Sequence, residues 1–490
     1  MAVESALPGW ALVPAAAATA LIVASGRRPA VRDTWSVLAA LAQTALVLAL
    51  LPGALAGTPL VWRPLDLAPG VPLSLRGDAL GVAFAAVASA LWVLTTVYSI
   101  GYVRAAHEHA QTRYFASFAL CLFATVGLAL AENLLTFFCF FEVLTVAAYP
   151  LVVHRGTPAA ARAGRIYLAY TLTGGAGLLA AVAGTYVLVG HVDFTPGGFL
   201  AGADASPGIL WALFLAFTLG CGVKAAVVPL HTWLPIAMIA PTPVSALLHA
   251  VAVVKAGVFG FVRVTGFVFG VDLLHDLGMG PALAAVAGVT ILFGSLAALG
   301  QDNLKRLLAF STVSQLSYIV LGAALGTPEA VTGGVLHIAS HAVLKITLFF
   351  CAGAIYVTEH RERVSELDGI GRRMPLTMAA FVLAATMLAG LPPGVAFTSK
   401  WRLLTGAAEG GAWPAVAVLL ASTVLNIAYF APVVVRAYAR GDGGPVAEAP
   451  LTVLVPLLVT ATAGLVLGLV GAGPLLDLAQ ATAAAIRGTP

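Results

Sequence analysis

Several ionisable side chains lie inside stretches of the sequence that are otherwise apolar. Four of the five lysines, Lys224, Lys255, Lys345 and Lys400, lie in such stretches, whereas nearly all the arginines lie between them or at their ends. Arginine keeps its proton under realistic conditions, but a desolvated lysine can release it. These four lysines are therefore candidates for groups that load and unload protons.

One acid accompanies these lysines. Glu142 lies in the middle of the run LLTFFCFFEVLTVAAYPL. A charge at the centre of a bilayer costs at least about 2.5–3.5 kcal/mol, so it persists only with a partner or a function. We expect Lys224 to be that partner. Because several such residues occur together, we favour a functional role over a purely structural ion pair.

Two histidines and a lysine recur at intervals of four residues in the run LHIASHAVLKITLFF. This spacing places His337, His341 and Lys345 on one face of a helix. The pattern fits a metal site, a pair of packing histidines or a hydrated proton relay; we favour the relay, because the zinc motif's glutamate and a third ligand are missing. His249 lies six residues before Lys255, and two interpretations stay open for it: it extends a relay, or it is a structural residue.

Proline interrupts two of the apolar stretches beside a lysine. The break in VKAAVVPLHTWLP comes just after Lys224, and the break in AGLPPGVAFTSK comes just before Lys400. Irregular backbone at membrane depth is tolerated only where protein buries it or where it lines a wet cavity. Two broken helices in corresponding positions are typical of inverted-repeat transporters. We therefore expect two inverted five-helix repeats.

The elements that carry these residues follow from composition. The chain of 490 residues is 60% hydrophobic and only 9% charged, whereas soluble proteins are about 25% charged. Apolar stretches of membrane-spanning length predict an all-α integral membrane fold of about fourteen helices, provided that 208–228 and 235–249 form one broken span. The predicted units are three N-terminal helices (1–113), the two repeats (114–269 and 281–436) and a last helix with its tail (437–490).

The connections between the predicted spans differ in charge. Basic residues concentrate in the odd-numbered connections, as at Arg155, Arg162 and Arg165, while the even-numbered ones hold only Arg63 and Arg76. Positively charged connections remain in the cytoplasm. The pattern predicts a plasma or inner membrane protein with odd-numbered connections in the cytoplasm and both termini outside.

Other classes of function lack support in the sequence. It has no nucleotide-binding glycine loop and no nucleophile constellation, and its four cysteines form no CxxC pair. We expect no catalytic residue, cofactor or metal in this chain and no nucleic-acid partner. Whether the chain works inside an enzyme complex stays open. The driving force would come from an ion gradient or from a partner subunit.

Long motifs resemble the antiporter-like subunits shared by respiratory complex I, membrane-bound hydrogenases and Mrp-type cation/proton antiporters. They include FFCFFEVLTVAAYPLV, GCGVKAAVVPLHTWLPIAMIAPTPVSALLHAVAVVKAGVFGFVRV, GGVLHIASHAVLKITLFFCAG and LAGLPPGVAFTSKW. The resemblance covers about residues 75–440 and implies fourteen helices with two inverted five-helix repeats. We expect the shorter subunit type, similar to the Mrp D subunit, because the sequence ends soon after the fourteenth predicted span without the long lateral helix of the largest subunits.

The resemblance also implies roles for individual residues. Glu142 and Lys224 match the family's paired fifth-helix glutamate and seventh-helix lysine, and Phe141 replaces a common tryptophan. The family's eighth-helix lysine corresponds to Lys255. Its polar series on helix eleven corresponds to His337, His341 and Lys345. The terminal residue of its broken helix twelve corresponds to Lys400.

The predicted function is proton translocation as a subunit of a multisubunit cation/proton antiporter. The partners would be other membrane subunits, H⁺, an exchanged Na⁺ or K⁺, and the bilayer. The alternative is a proton-pumping subunit of a redox-driven complex, either NADH/quinone oxidoreductase or hydrogenase. A silent scaffold and a carrier of organic substrates are the less favoured interpretations.

Overall fold

The computed structural model describes residues 2–439 and 445–488, which leaves 440–444, in the predicted C-terminal unit, outside the described residues. Thirteen helices in the described part are long and apolar enough to cross a membrane. Two shorter helices, Pro375–Ala389 and Val395–Glu409, form the predicted broken span. The all-α membrane fold and the count of fourteen are thereby confirmed.

We number the spans in chain order. They are span 1 Leu7–Ala24, span 2 Pro29–Leu55, span 3 Ala79–Ala105, span 4 Gln111–Ala129, span 5 Leu134–Val152, span 6 Pro158–Val189, span 7 Pro207–Lys224, span 8 Thr242–Phe269, span 9 Met279–Leu299, span 10 Leu304–Leu325, span 11 Pro328–Glu359, span 12 (the broken pair), span 13 Trp413–Tyr438 and span 14 Leu451–Leu469.

Three spans form the centre of the molecule. The most apolar 18-residue window is fully buried in spans 8 and 11 and 94% buried in span 10, but only 33% buried in spans 2, 6 and 13. Helices that are apolar all round are expected inside a large protein or in lipid. Polar side chains on spans 8, 10 and 11 are therefore enclosed by protein.

The boundary between spans 7 and 8 differs from the prediction. Residues 242–249, predicted as the second half of broken span 7, instead begin span 8. Pro243 is the reason, because proline is favoured in the first turn of a helix and starts one here. Span 7 ends at Lys224, and two short turns, Trp233–Ile236 and Ala237–Ile239, lead to span 8.

Span 8 is irregular. Its backbone is π-helical over Leu247–Val251 and Val264–Phe269, on either side of the α-helical segment Val253–Arg263. π-Helical turns are rare and occur frequently at functional sites. His249 lies in the first of these segments, and Lys255 follows it in the α-helical part.

Two features outside the spans are absent from the sequence prediction. Strands β1 (Val3–Glu4), β2 (Leu60–Ala68) and β3 (Val71–Arg76) form a sheet in which β1 is parallel and β3 antiparallel to β2. A helix at Pro474–Ile486 packs against spans 3 and 11. Both are shorter than a membrane crossing, which is why a search for spans misses them.

The chain repeats its geometry at an interval of 170 residues. Asn133 caps span 5 and forms an isolated antiparallel β-bridge with Asp193. Asn303 caps span 10 and forms the same kind of bridge with Arg363. Spans 6 and 11 each contain 32 residues and start at a proline after a capping threonine. Five spans separate the matching elements, and an odd number of crossings reverses the direction of the chain.

Candidate functional site

The eight side chains predicted to transfer protons all lie within the described spans. Six of them have no exposed surface, Lys400 is 8% exposed and Glu142 is half-buried. The six fully enclosed residues are Lys224, Lys255, Lys345, His249, His337 and His341. Spans 5 and 7 hold Glu142 and Lys224, and spans 8, 11 and 12 hold the other six.

Glu142 and Lys224 face each other only loosely. The Lys224 Nζ atom donates a hydrogen bond to the Phe141 carbonyl and lies 3.4 Å from the centroid of the Phe141 ring, a cation–π distance. The Glu142 carboxylate packs against Gly175, and its buried Oε1 atom makes no hydrogen bond to a described residue. Among the described residues, Lys224 therefore binds a main-chain carbonyl and not the Glu142 Oε1 atom, and the expected ion pair is open.

Phe141 contributes more than the sequence suggested. We expected it only as a tolerated replacement for tryptophan. In the structure its ring and its carbonyl both contact the Lys224 ammonium group. The aromatic face thus holds the lysine in place, while the Oε1 atom of the neighbouring Glu142 carboxylate has no hydrogen-bond partner among the described residues.

Lys255 and His341 join span 8 to span 11. The Lys255 Nζ atom lies 2.9 Å from the His341 Nδ1 atom, and which of them donates depends on the protonation of the pair. The other ring nitrogen of His341, Nε2, is buried without a hydrogen bond to any described residue. These two bases can share one proton and pass it between the predicted repeats.

His337 lies between spans 10 and 12. Its Nδ1 atom is 2.9 Å from the Ser399 hydroxyl, and its Nε2 atom is 3.1 Å from the Gln315 side-chain oxygen. The ring centroids of His337 and His341 are 6.1 Å apart, one helical turn along span 11. Gln315 and Ser399 were not among the predicted residues, although polar residues within the apolar runs SQLSYIV and AFTSK were a signal.

Lys345 and Lys400 bind main-chain carbonyl groups. Lys345 donates to the Leu308 carbonyl at 3.0 Å. Lys400 donates to the Leu388 and Ala389 carbonyls at 2.8 and 3.2 Å. Those two carbonyls end the first half of broken span 12, where the last turn of a helix lacks internal partners. The break therefore supplies the acceptors that hold Lys400 inside the membrane.

His249 makes fewer contacts than expected. Its ring packs 5.0 Å from the Phe349 ring, and neither of its nitrogens makes a hydrogen bond within the described ranges. The structure does not place it in contact with Lys255. Its connection to the other residues would have to pass through water.

Lys305 was placed in a connection by the sequence analysis but lies in the first turn of span 10. It is 6% exposed and donates to the Ala240 carbonyl at 3.1 Å. A polar cavity of about 720 Å³ reaches this point. It is lined by the turns at 235–239, by Lys305 and Arg306 in the first turn of span 10, and by charged residues of three connections, which are Arg155, Asp302, Glu362 and Arg363. The cavity connects one surface with the break after span 7.

Arg263 is a second buried cation that the sequence analysis did not single out. It is 1% exposed near the end of span 8, and its guanidinium group forms two hydrogen bonds, at 2.5 and 2.8 Å, with the Asp78 carboxylate. Three phenylalanine rings lie about 5 Å from it. The apolar sequence around it, VFGFVRVTGF, contains this one charged residue and could have identified it.

Asp78 caps the N-terminus of span 3, is partly buried and is paired with Arg263. Burial raises its pKa, but the Arg263 charge, the Arg263 hydrogen bonds and the Gly81 N–H together lower the pKa below its ordinary value. The carboxylate is therefore ionised at any pH near neutrality. Arg263 and Asp78 form a fixed ion pair, in contrast to the open arrangement of Glu142 and Lys224.

Comparison with known proteins places this geometry in a family. Residues 131–435 match the family model described as NADH:quinone oxidoreductase/Mrp antiporter, TM. The chain is 36% identical to NADH-quinone oxidoreductase subunit N of Desulforudis audaxviator, over 76% of this chain and 77% of that protein. It is 33% identical to a probable K⁺/H⁺ antiporter A/B subunit of Rhizobium meliloti, over 69% of this chain and 33% of that protein.

Solved structures agree with the sequence match. A chain in the structure of the Mrp complex from Dietzia sp. superposes with a TM-score of 0.87 at 25% identity, covering 98% of this chain and 97% of that one. A chain of the membrane-bound sulfane sulfur reductase, an archaeal respiratory membrane complex, superposes with a TM-score of 0.89 at 25% identity, covering 99% and 98%. The chain belongs to the transmembrane family of NADH:quinone oxidoreductase and Mrp antiporter subunits.

Proposed function

We propose that this chain carries protons across the membrane as a subunit of a multisubunit cation/proton antiporter. The observation that supports it most directly is the 2.9 Å contact between Lys255 and His341, two proton-exchanging bases enclosed at the centre of the molecule. Ionisable residues within membrane spans mark proton relays and ion paths. The contact lies where the two predicted repeats meet.

The proposed route uses all eight predicted residues. A proton loads on Lys224, next to Glu142, at the break after span 7. It passes through His249 and water to Lys255, and from there directly to His341. It then continues along span 11, where His341 lies between His337 and Lys345, and leaves from Lys400 at the break in span 12. Protons pass between nitrogen bases directly at the Lys255–His341 contact and through water elsewhere, so no covalent bond to a substrate forms.

The proposed route also has an entrance and an orientation. The cavity beside Lys305 opens on the face that carries the basic odd-numbered connections, which we assign to the cytoplasm. We propose that water in this cavity connects the cytoplasm with Lys224. Both termini would then lie outside, in a plasma or inner membrane.

A redox-driven complex is the second candidate. The similarity to NADH-quinone oxidoreductase subunit N and to a chain of an archaeal respiratory complex favours it. The same residues would move protons in both cases. Purifying the chain from its native membrane in mild detergent and identifying its partners by mass spectrometry distinguishes the two. Antiporter-type subunits alone indicate a gradient-driven exchanger; iron–sulfur or hydrogenase subunits indicate a redox pump.

The transport proposal is tested by replacing Lys255 with methionine, which keeps the shape of the side chain and removes the exchangeable proton. We expect Lys255→Met to lower proton transport by on the order of a hundredfold, the low end of what a positioned proton-transfer group contributes. Transport is measured as the collapse of a pH gradient in everted membrane vesicles that contain the complete complex.

Thr347→Val is the matched control. Thr347 is a buried polar residue of span 11 whose hydroxyl binds the Thr460 hydroxyl. Its replacement is expected to leave transport within about twofold of wild type, because a neutral hydroxyl exchanges no proton at these pH values. Wild-type transport by Lys255→Met, at equal amounts of inserted protein, would contradict the proposed route.

A further inference from the structure

Three potential metal ligands meet outside the proposed proton route. Glu108 and His109 lie in the connection after span 3, and His154 lies just after the end of span 5. One donor atom from each residue lies within 4.8 Å of the others. The Glu108 Oε2 atom is 3.6 Å from the His154 Nε2 atom, and the rings of His109 and His154 are stacked with centroids 4.9 Å apart.

His154 lacks a partner for its polar atoms. Its side chain has no exposed surface, and neither ring nitrogen makes a hydrogen bond to a described residue. Buried polar atoms are normally paired, so two buried ring nitrogens without a partner need a further group to satisfy them. The Glu108 carboxylate, whose side chain is 10% exposed, lies beside them.

A transition-metal ion bound to His154 Nε2 satisfies one of these two nitrogens together with the Glu108 carboxylate. Zn²⁺ binds imidazole nitrogen and carboxylate oxygen at about 2.0–2.2 Å in a tetrahedral arrangement, which separates its ligands by about 3.4 Å. The Glu108–His154 separation is already close to this value. His109 is exposed and can rotate to complete the set, and it leaves the fourth position open to water. Two imidazoles select a transition metal over Ca²⁺ or Mg²⁺.

We propose that Glu108, His109 and His154 bind one Zn²⁺-type ion that links the connection after span 3 to the end of span 5. Two arginines lie nearby and oppose a cation. Arg113 is directed to the His154 carbonyl at 3.3 Å, and Arg155 lies over the Tyr356 ring at 5.9 Å. The attraction of the Glu108 charge and the coordination bonds have to outweigh the repulsion between the ion and these two arginines. This site is independent of the proposed transport function.

The proposal is tested by Zn²⁺ binding to the complete chain, purified with its native partners, stripped with a chelator and titrated calorimetrically. We expect His109→Ala and Glu108→Gln each to remove one Zn²⁺ per chain or to weaken its binding at least about tenfold, since even the loss of an outer-shell partner costs that much. His109 is exposed, so its replacement leaves the packing intact. Cobalt replacing zinc should give tetrahedral absorption bands that both variants lack.

His275→Ala is the control. His275 is an exposed histidine beside an acid, Asp276, and resembles the proposed ligands in chemistry but not in geometry. Its replacement should change neither the number of bound ions nor their affinity. Equal Zn²⁺ binding by wild type, His109→Ala and Glu108→Gln would overturn the proposal, and so would wild-type protein that takes up no Zn²⁺. Neither result bears on proton transport.

Discussion

The buried lysines differ in what holds them. The Lys224, Lys345 and Lys400 ammonium groups bind main-chain carbonyls, whereas Lys255 lies against the titratable side chain of His341. A carbonyl accepts a hydrogen bond but releases no proton. Lysines bound to carbonyls therefore need water to exchange protons with one another, and direct transfer is confined to the Lys255–His341 contact.

Gln315 is a hydrogen-bond partner of His337. Its side-chain oxygen lies 3.1 Å from His337 Nε2 and accepts a hydrogen bond when that nitrogen carries the hydrogen. Gln315→Leu removes the acceptor, and we expect transport to fall roughly tenfold or more, with a shifted pH profile. Proton uptake in vesicles as a function of pH measures both effects.

Ser317→Ala is the corresponding control, because Ser317 is buried in span 10 and has no hydrogen bond to a described residue. It should retain wild-type transport and the wild-type pH profile. An unchanged pH profile in Gln315→Leu would mean that His337 is only a packing residue.

Asp78 is expected to stabilise the fold through Arg263. Asp78→Asn keeps the helix-capping oxygen but removes the charge opposite a guanidinium group that is 1% exposed. Leaving a buried cation unpaired costs about 3 kcal/mol. We expect a lower melting temperature in detergent, measured by tryptophan fluorescence. Asp276→Asn, in an exposed pair, should melt like wild type.

The stabilisation by Asp78 should depend on pH in one direction. Its pKa in the folded protein lies below the ordinary value of 3.8. The contribution is therefore fully present above pH 3.8 and is lost as the pH falls through the lower folded pKa. The melting temperatures of wild type and Asp78→Asn should differ at pH 7 and converge as the pH is lowered below 3.8. A constant difference over this range would exclude the charge as the cause.

At the scale of elements, the two predicted repeats share a scaffold but differ in chemistry. Tyr167 donates to the Thr145 main-chain carbonyl, whereas His337, 170 residues after Tyr167, lies 3.1 Å from the side-chain oxygen of Gln315, 170 residues after Thr145. Lys345 stands 170 residues after Gly175, and Gly175 is where the Glu142 carboxylate packs. Span 11 therefore carries Lys345 at the position where span 6, its counterpart in the first predicted repeat, has Gly175. The missing side chain of Gly175 leaves room for Glu142.

The sequence was sufficient for features that depend on composition. Apolar length predicted the fourteen spans, and charges inside spans identified all eight candidate residues, each now placed within a span. Pro243 was misread because proline both breaks a helix and begins one, and only packing decides which. Gln315, Ser399 and Phe141 were not selected because neutral polar and aromatic residues are common in spans, so their roles depend on three-dimensional contacts.

Span 14 supports the break in span 12. A side chain at Gly468 would collide with the Pro393 carbonyl and lie 2.7 Å from the Gly394 carbon and the Val395 nitrogen. Gly468→Val should therefore displace the break together with the carbonyls that hold Lys400. We expect reduced transport and a lower melting temperature, because overpacking costs about 1–3 kcal/mol.

Gly208→Ala serves as the comparison, since a methyl group there meets nothing closer than 4.0 Å. It should retain both activity and stability. Wild-type transport by Gly468→Val would show that the geometry of the break tolerates displacement, and that Lys400 does not depend on it.

At the scale of the whole molecule, the predicted orientation can be tested with single cysteines. Arg306 is exposed on the basic face, and the His275 side chain is 84% exposed in the connection between spans 8 and 9. In a background without the four native cysteines, Arg306→Cys should react with an impermeant maleimide only from the cytoplasm, and His275→Cys only from outside. Labelling of both from the same side would contradict the assignment of the spans.

The closeness of Lys255 and His341 has a consequence for how fast charge can cross the protein. Two positive charges 2.9 Å apart repel by roughly 6 kcal/mol at an effective dielectric constant of 20, so the pair accommodates one excess proton at a time. Conduction through such a junction is single-file, and a second carrier waits until the first has left. The proton current through this chain should therefore saturate as the gradient rises, with a ceiling set by how quickly this one contact empties.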